Sequence, residues 1–148
     1  MEKILVLNGP NLNLIGYREK QIYGNKTMDD LKELIKNECG KLGVSVDFFQ
    51  SNHEGSIIDK LHQSIDGYTG IVINPGAYTH YSYAIYDAIR SIKIPTVEVH
   101  ISNTYDREEF RQKSVTARAC IGHICGFGLY SYILGIYAIL NHRGRHLK

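Results

Sequence analysis

Short apolar runs rich in β-branched residues alternate along the chain with stretches of helical period. The runs are KILVL (3–7), VSVDFF (44–49), GIVIN (70–74), PTVEVHI (95–101) and ACIGHI (119–124). Strands separated by helices predict βαβ units and a parallel sheet. Thr27 with Asp30 three residues on predicts a capped helix whose stripe is Leu31, Leu34, Ile35 and Leu42, ending at Gly43. A second helix is predicted with Ser56 as cap and Ile57, Ile58, Leu61 and Ile65 inward, ending near Asp66 and Gly67.

A third helix over 82–92 puts Ala84, Ile85, Ala88, Ile89 and Ile92 on one face. Its other face carries Tyr83, Tyr86, Asp87 and Arg90, a composition that suits a subunit contact. The last helix, 127–141, is apolar almost all round, so it is either deeply packed or covered by a partner. Five parallel strands with helices on both faces make a flavodoxin-like doubly wound α/β fold, whose ligands bind at the carboxyl ends of the strands.

Composition narrows the reading further. A chain of 148 residues, 43% hydrophobic and 22% charged, fits one globular domain, 1–148, with a real core. Its formal charge of +2, with a single basic cluster in the tail NHRGRHLK, gives no footprint for nucleic acid, and the tail from 142 to 148 is expected to fray. The run LYSYILGIYAIL is too short to span a bilayer, which needs about 20 apolar residues. Cys39, Cys120 and Cys125 are odd in number without metal spacing, and MEKILVLNG lacks the parts of a signal peptide, so a reduced, cytoplasmic protein is expected.

The polar residues collect where strands end. Asn8, Asn11, Asn13, Arg18 and Tyr23 follow the first strand, Asn52 and His53 the second, NPGAYTHYS (74–82) the third, and HISN the fourth, with Arg111 a short way on. The first of these segments, 8–24, is about three times the usual 2–6 residues of a strand-to-helix loop, and long ordered loops are commonly functional. No GxxxxGK[ST] or GxGxxG follows a strand, and GFG at 126–128 is too short to be a fingerprint, which argues against a nucleotide or flavin.

Three segments carry candidate chemistry. In NPGAYTHYS, Pro75 and Gly76 turn the chain sharply and lead into a helix whose N-terminus favours anions, which suits a substrate carboxylate or hydroxyls; the competing reading is a plain turn capped by Thr79 or Ser82. In EVHISN, Glu98 and His100 share one face of a strand, and a carboxylate beside an imidazole orients it and favours its protonated form, as a general acid needs. In the long loop, a guanidinium at Arg18 could stabilise Tyr23 as a phenolate base; alone, the loop reads rather as a solvated charge run, Arg18 to Lys20, and a packing tyrosine.

Together NGPNLNLIGYREKQIYG, NPGAYTHYS and EVHISN, in this order and followed by Arg111, resemble the type II 3-dehydroquinate dehydratases from Lys3 to about Ala138. The resemblance implies reversible loss of water from 3-dehydroquinate to give 3-dehydroshikimate, in the shikimate route or quinate breakdown, with no cofactor, no metal and no Schiff-base lysine. It implies Tyr23 as the base, Arg18 as the group that keeps it ionised, His100 as the acid oriented by Glu98, and Asn11 as holder of the water that stabilises the enolate. Asn74, His80, Arg111 and the main-chain amides of Ile101 and Ser102 match substrate-binding positions.

Asp87 matches an acid that reaches a neighbouring subunit's site, in a family of dodecamers built from trimers. One position departs: the family commonly has proline where this chain has Lys20, which would leave the empty loop more mobile. The reading that competes with catalysis is a flavodoxin-like binding or signalling module.

Overall fold

The computed structural model describes residues 2–17 and 19–144. Five strands, β1 (Lys3–Asn8), β2 (Ser45–Gln50), β3 (Gly70–Asn74), β4 (Thr96–His100) and β5 (Gly122–Cys125), form one parallel sheet in the order β2-β1-β3-β4-β5. This is the flavodoxin-like order, with its switch point between β1 and β3.

The helices are α1 (Lys20–Tyr23), α2 (Met28–Leu42), α3 (Glu54–Gln63), α4 (Tyr83–Ile92) and α5 (Tyr130–His142). Alternation along the strands divides the core into two layers, as a sheet covered on both faces requires. Ile4, Val6, Val72, Val97 and Val99 meet α2 and α5, while Leu5, Leu7, Ile71 and Ile73 meet α3 and α4.

The local signals at the helix starts hold in two cases and move in a third. Thr27 and Asp30 form a full capping box on α2, and Ser82 caps α4 by accepting from Ile85 N at 3.0 Å. α3 instead begins at Glu54 behind His53, so Ser56 lies inside the helix and is not its cap. The apolar stripes are narrower than the sequence suggests: Leu34, Ile65 and Ala84 are exposed, and Cys39 joins the stripe of α2. A stripe about 100° wide leaves its edge positions in solvent.

α5 settles the question of its apolar surface. Tyr132, Ile133, Gly135, Ile136, Ile139 and Leu140 are buried within the chain, against β3, β4 and β5. The helix runs three residues shorter at its start than expected and continues through His142, where fraying was predicted; Arg143 pairs with Glu2 at 2.9 Å. Residues 145–148 of that tail lie outside the described residues.

Two glycines bring the first and third strand ends together. Gly9 N donates to Asn74 O at 2.7 Å, and a Cβ at Gly9 would stand 2.4 Å from Pro75 O. Gly76, at φ 60°, would carry a Cβ 3.0 Å from Pro10 O. Only residues without side chains let these two backbones pass at such range, and the passage aligns the long loop with the turn after β3.

Candidate active site

Residues 9–15 form an anchored loop after β1. Asn11 takes a left-handed turn at φ 68°, its amide donates to Asn52 Oδ1 at 3.0 Å, and Leu12 and Ile15 are buried in the core beside Leu31 and Ile35. These anchors deliver the one-turn helix α1 and its last residue, Tyr23, to the sheet edge. Lys20 occupies the first position of α1, where the missing amide of a proline would cost nothing. Lysine in place of proline is therefore compatible with this backbone.

One cleft at the carboxyl ends of β1, β3 and β4 is lined by Asn11, Tyr23, Asn74, His80, His100, Ile101, Ser102 and Arg111. Eight of the residues singled out in the sequence thus converge, and Glu98 stands behind His100. Asp87 is exposed on the outer face of α4 and does not line this cleft. Arg18 lies outside the described residues.

The acid side is built on β4. Glu98 is completely buried, and its Oε2 accepts from His100 Nε2 at 2.9 Å, Thr79 Oγ1 at 2.8 Å and Ser114 Oγ at 2.8 Å, while Oε1 accepts from Thr116 Oγ1. A buried charge is tolerable only with such compensation. Burial raises the Glu98 pKa, but the bonds and charge from His100, with those from Thr116 and Ser114, outweigh it and hold the carboxyl below its ordinary range. Glu98 takes Nε2 of His100, leaving Nδ1 as the ring nitrogen available to a ligand.

A carboxyl depressed in the folded state stabilises it above the unfolded value, about 4.3, and this is lost as pH falls through the folded value. The unfolding midpoint, followed by circular dichroism, is expected to drop below about pH 4.3. Glu98→Gln is expected to flatten that drop relative to wild type; superimposable curves would show that Glu98 carries no linked stability.

The base side contains a residue the sequence did not single out. Arg107, only 8% exposed, donates from one Nη to Tyr23 Oη at 2.9 Å and to Ser102 Oγ at 3.3 Å, with its other Nη 3.9 Å from Glu19. Its guanidinium centre lies 5.6 Å from the Tyr23 ring centroid, and its buried Nε has no hydrogen-bond partner among the described residues. In sequence, Arg107 sits in the charge-dense stretch DREEF four residues before Arg111. Its spacing from Arg111, on a strand-end segment, was the available signal.

The third strand end orients its residues from behind. Asn74 Nδ2 donates to the buried Tyr132 Oη at 2.9 Å, Tyr132 donates to Asn8 Oδ1 at 2.6 Å, and Asn74 Oδ1 receives Gly76 N at 3.1 Å. His80 Nδ1 pairs with the Lys113 carbonyl at 2.8 Å, and burial holds this imidazole below the ordinary histidine value. The N-terminus of α4, expected to favour a substrate anion, is filled by protein: Ser82 is buried and donates to Glu54 Oε2 at 2.6 Å. GFG latches the end of β4, with Gly126 N and Gly128 N donating to the carbonyls of His100 and Ile101.

A phenol under a guanidinium and an imidazole bonded to a buried carboxylate meet in one strand-end cleft of a flavodoxin-like sheet, where ligands of this architecture bind. The model of the family described as Dehydroquinase class II matches residues 2–140. The chain belongs to the class II dehydroquinase family.

Its similarity to individual proteins extends over nearly its whole length. It is 63% identical over 139 residues to a 3-dehydroquinate dehydratase of Clostridium acetobutylicum, covering 94% of this chain and 96% of that one. With the 3-dehydroquinate dehydratase of Caldicellulosiruptor saccharolyticus it shares 60% over 140 residues, covering 94% and 97%. The crystal structure of type II dehydroquinase from Butyrivibrio crossotus matches with a TM-score of 0.92 at 54% identity, covering 93% of this chain and 97% of that one.

Proposed function

We infer that this chain is a hydro-lyase that removes water reversibly from 3-dehydroquinate to give 3-dehydroshikimate, with Tyr23 as base and His100 as acid. The observation that carries the role assignment is the meeting of Tyr23 Oη with Arg107 on the cleft that also holds the Glu98–His100 pair. The binding-module reading is not favoured.

The reaction breaks a C–H bond beside the ketone, and the electron pair moves into an enolate. Tyr23 takes the proton. Collapse of the enolate expels the hydroxyl two carbons from the ketone carbon, and His100 protonates it, so that water leaves and an enone remains. Base and acid reach the cleft from different elements, α1 and β4, and an anti elimination would set them on opposite faces of the ring. Arg107 donates to Tyr23 Oη, the atom that receives the proton, and Arg18 keeps the supporting role that the resemblance implies.

Asn11 is proposed to hold the water at the enolate oxygen, and Asn74, His80, Arg111 and the amides of Ile101 and Ser102 to bind the substrate's hydroxyls and carboxylate. Adding 3-dehydroquinate is expected to produce enone absorbance without added cofactor or metal, and borohydride with substrate is expected to leave the enzyme active. Trapping on a lysine would overturn the enolate route.

We further propose a dodecamer of trimers in which Asp87 reaches a neighbouring site. Supporting this reading, Tyr81, Tyr83 and Phe110 are exposed, with Asp87 on the outer face of α4. Size-exclusion chromatography with light scattering is expected to return twelve 16.8 kDa chains, and an active monomer would remove Asp87 from the site. No helix among the described residues is long and apolar enough to cross a membrane. We propose a cytoplasmic location, in keeping with three free cysteines, of which Cys39 is pushed up to about 11 by burial.

A further inference from the structure

Glu98 faces a second imidazole that the dehydration does not use. β4 and β5 run in a register that pairs Glu98 with His123, and residues at one register of parallel strands project on the same face. His123 Nε2 lies 3.5 Å from Glu98 Oε2, the oxygen that His100 Nε2 meets at 2.9 Å. The two rings stand edge to face with centroids 5.3 Å apart. At 3.5 Å the His123 contact is too long for a strong hydrogen bond and close enough for an ion pair, so its strength depends on the charge of the ring.

The surroundings isolate this interaction. The charges that act on His123 are Glu98 and His100, and burial holds His123 below the ordinary histidine value. Glu98 is also faced by Cys120, whose thiol burial keeps neutral, and His80 senses Glu98, His100 and Arg111 from the turn after β3. Tyr23 and Arg107 share the cleft with His100. His123 is not among the residues that line that cleft, and its side chain is 29% exposed, so solvent reaches it. Ligand atoms of Glu98, His100 and His123 lie within 4.8 Å of one another, but the Glu98 oxygens already accept from protein donors, so the cluster is better arranged to gain a proton than a metal ion.

We propose that His123 is a positioning residue of the acid half-site: its charge draws on the carboxylate that clamps His100, and so sets how firmly His100 holds its proton. Neutral His123 leaves Glu98 to His100; cationic His123 loosens the His100 proton. The consequence for turnover rests on His100 being the acid of the dehydration.

The test compares wild type with His123→Gln, which is always neutral, and His123→Lys, which is cationic. The His100 ring resonance, titrated by NMR without substrate, is expected to show two inflections in wild type and one in His123→Gln. In His123→Lys the midpoint is expected to move down by about one pH unit. The alkaline limb of kcat is expected to move with it, at unchanged KM. A His100 titration of the same shape and midpoint in all three proteins would overturn the coupling. Because that titration needs no turnover, it can succeed where the dehydratase reading fails, and fail where turnover is normal.

Discussion

Tyr23→Phe is expected to lower kcat for 3-dehydroquinate by roughly 10³-fold, with KM within about twofold of wild type. The change removes one oxygen. The ring remains packed against the core layer that includes Leu12 and Ile15, and stays beside the Arg107 guanidinium. A positioned base contributes about 10²–10⁴ to rate, and phenylalanine has no atom to receive the proton. Enone absorbance measures the loss, and an unchanged circular dichroism melt shows that the fold is intact. Normal turnover would remove Tyr23 as the base.

Arg107→Ala is expected to reduce kcat/KM by about 10²–10³, the range found when a preorganised donor to developing charge is removed. Its partners are Tyr23 Oη and Ser102 Oγ, and its buried Nε has no hydrogen-bond partner among the described residues. Arg107→Lys is expected to restore little, since an ammonium lacks the planar fork that reaches both hydroxyls. Stability is expected to hold or rise, because a buried, partly paired charge is costly to keep. Full activity in Arg107→Ala would leave the support of the base to Arg18 alone.

Much of the site was legible because its signals are local. Glu98 and His100 share a face by the period of two along a strand, whatever the rest of the chain does. The long loop after β1 and the Pro75–Gly76 turn announced themselves through length and turn chemistry. Errors fell at element edges: Ser56 and His53 both precede an apolar stripe, and only the start of α3 at Glu54 separates them. The Glu54 carboxylate beside the cap of α4 is not legible locally, because it comes from another helix and sits opposite Ser82 only after folding.

Local patterns alone encode the parallel α/β architecture, the strand ends that carry polar groups, and the pairing of Glu98 with His100. These rest on periodicity and turns, which short stretches of chain encode. Only the tertiary structure decided that Arg107, which in sequence stands in a solvated-looking charge run, is buried against Tyr23, 84 residues away. It likewise decided that His123 shares a carboxylate with His100. Both depend on register and on the return of segments after β4 to the sheet edge, and such distances are set by packing of the whole core and not by any local pattern.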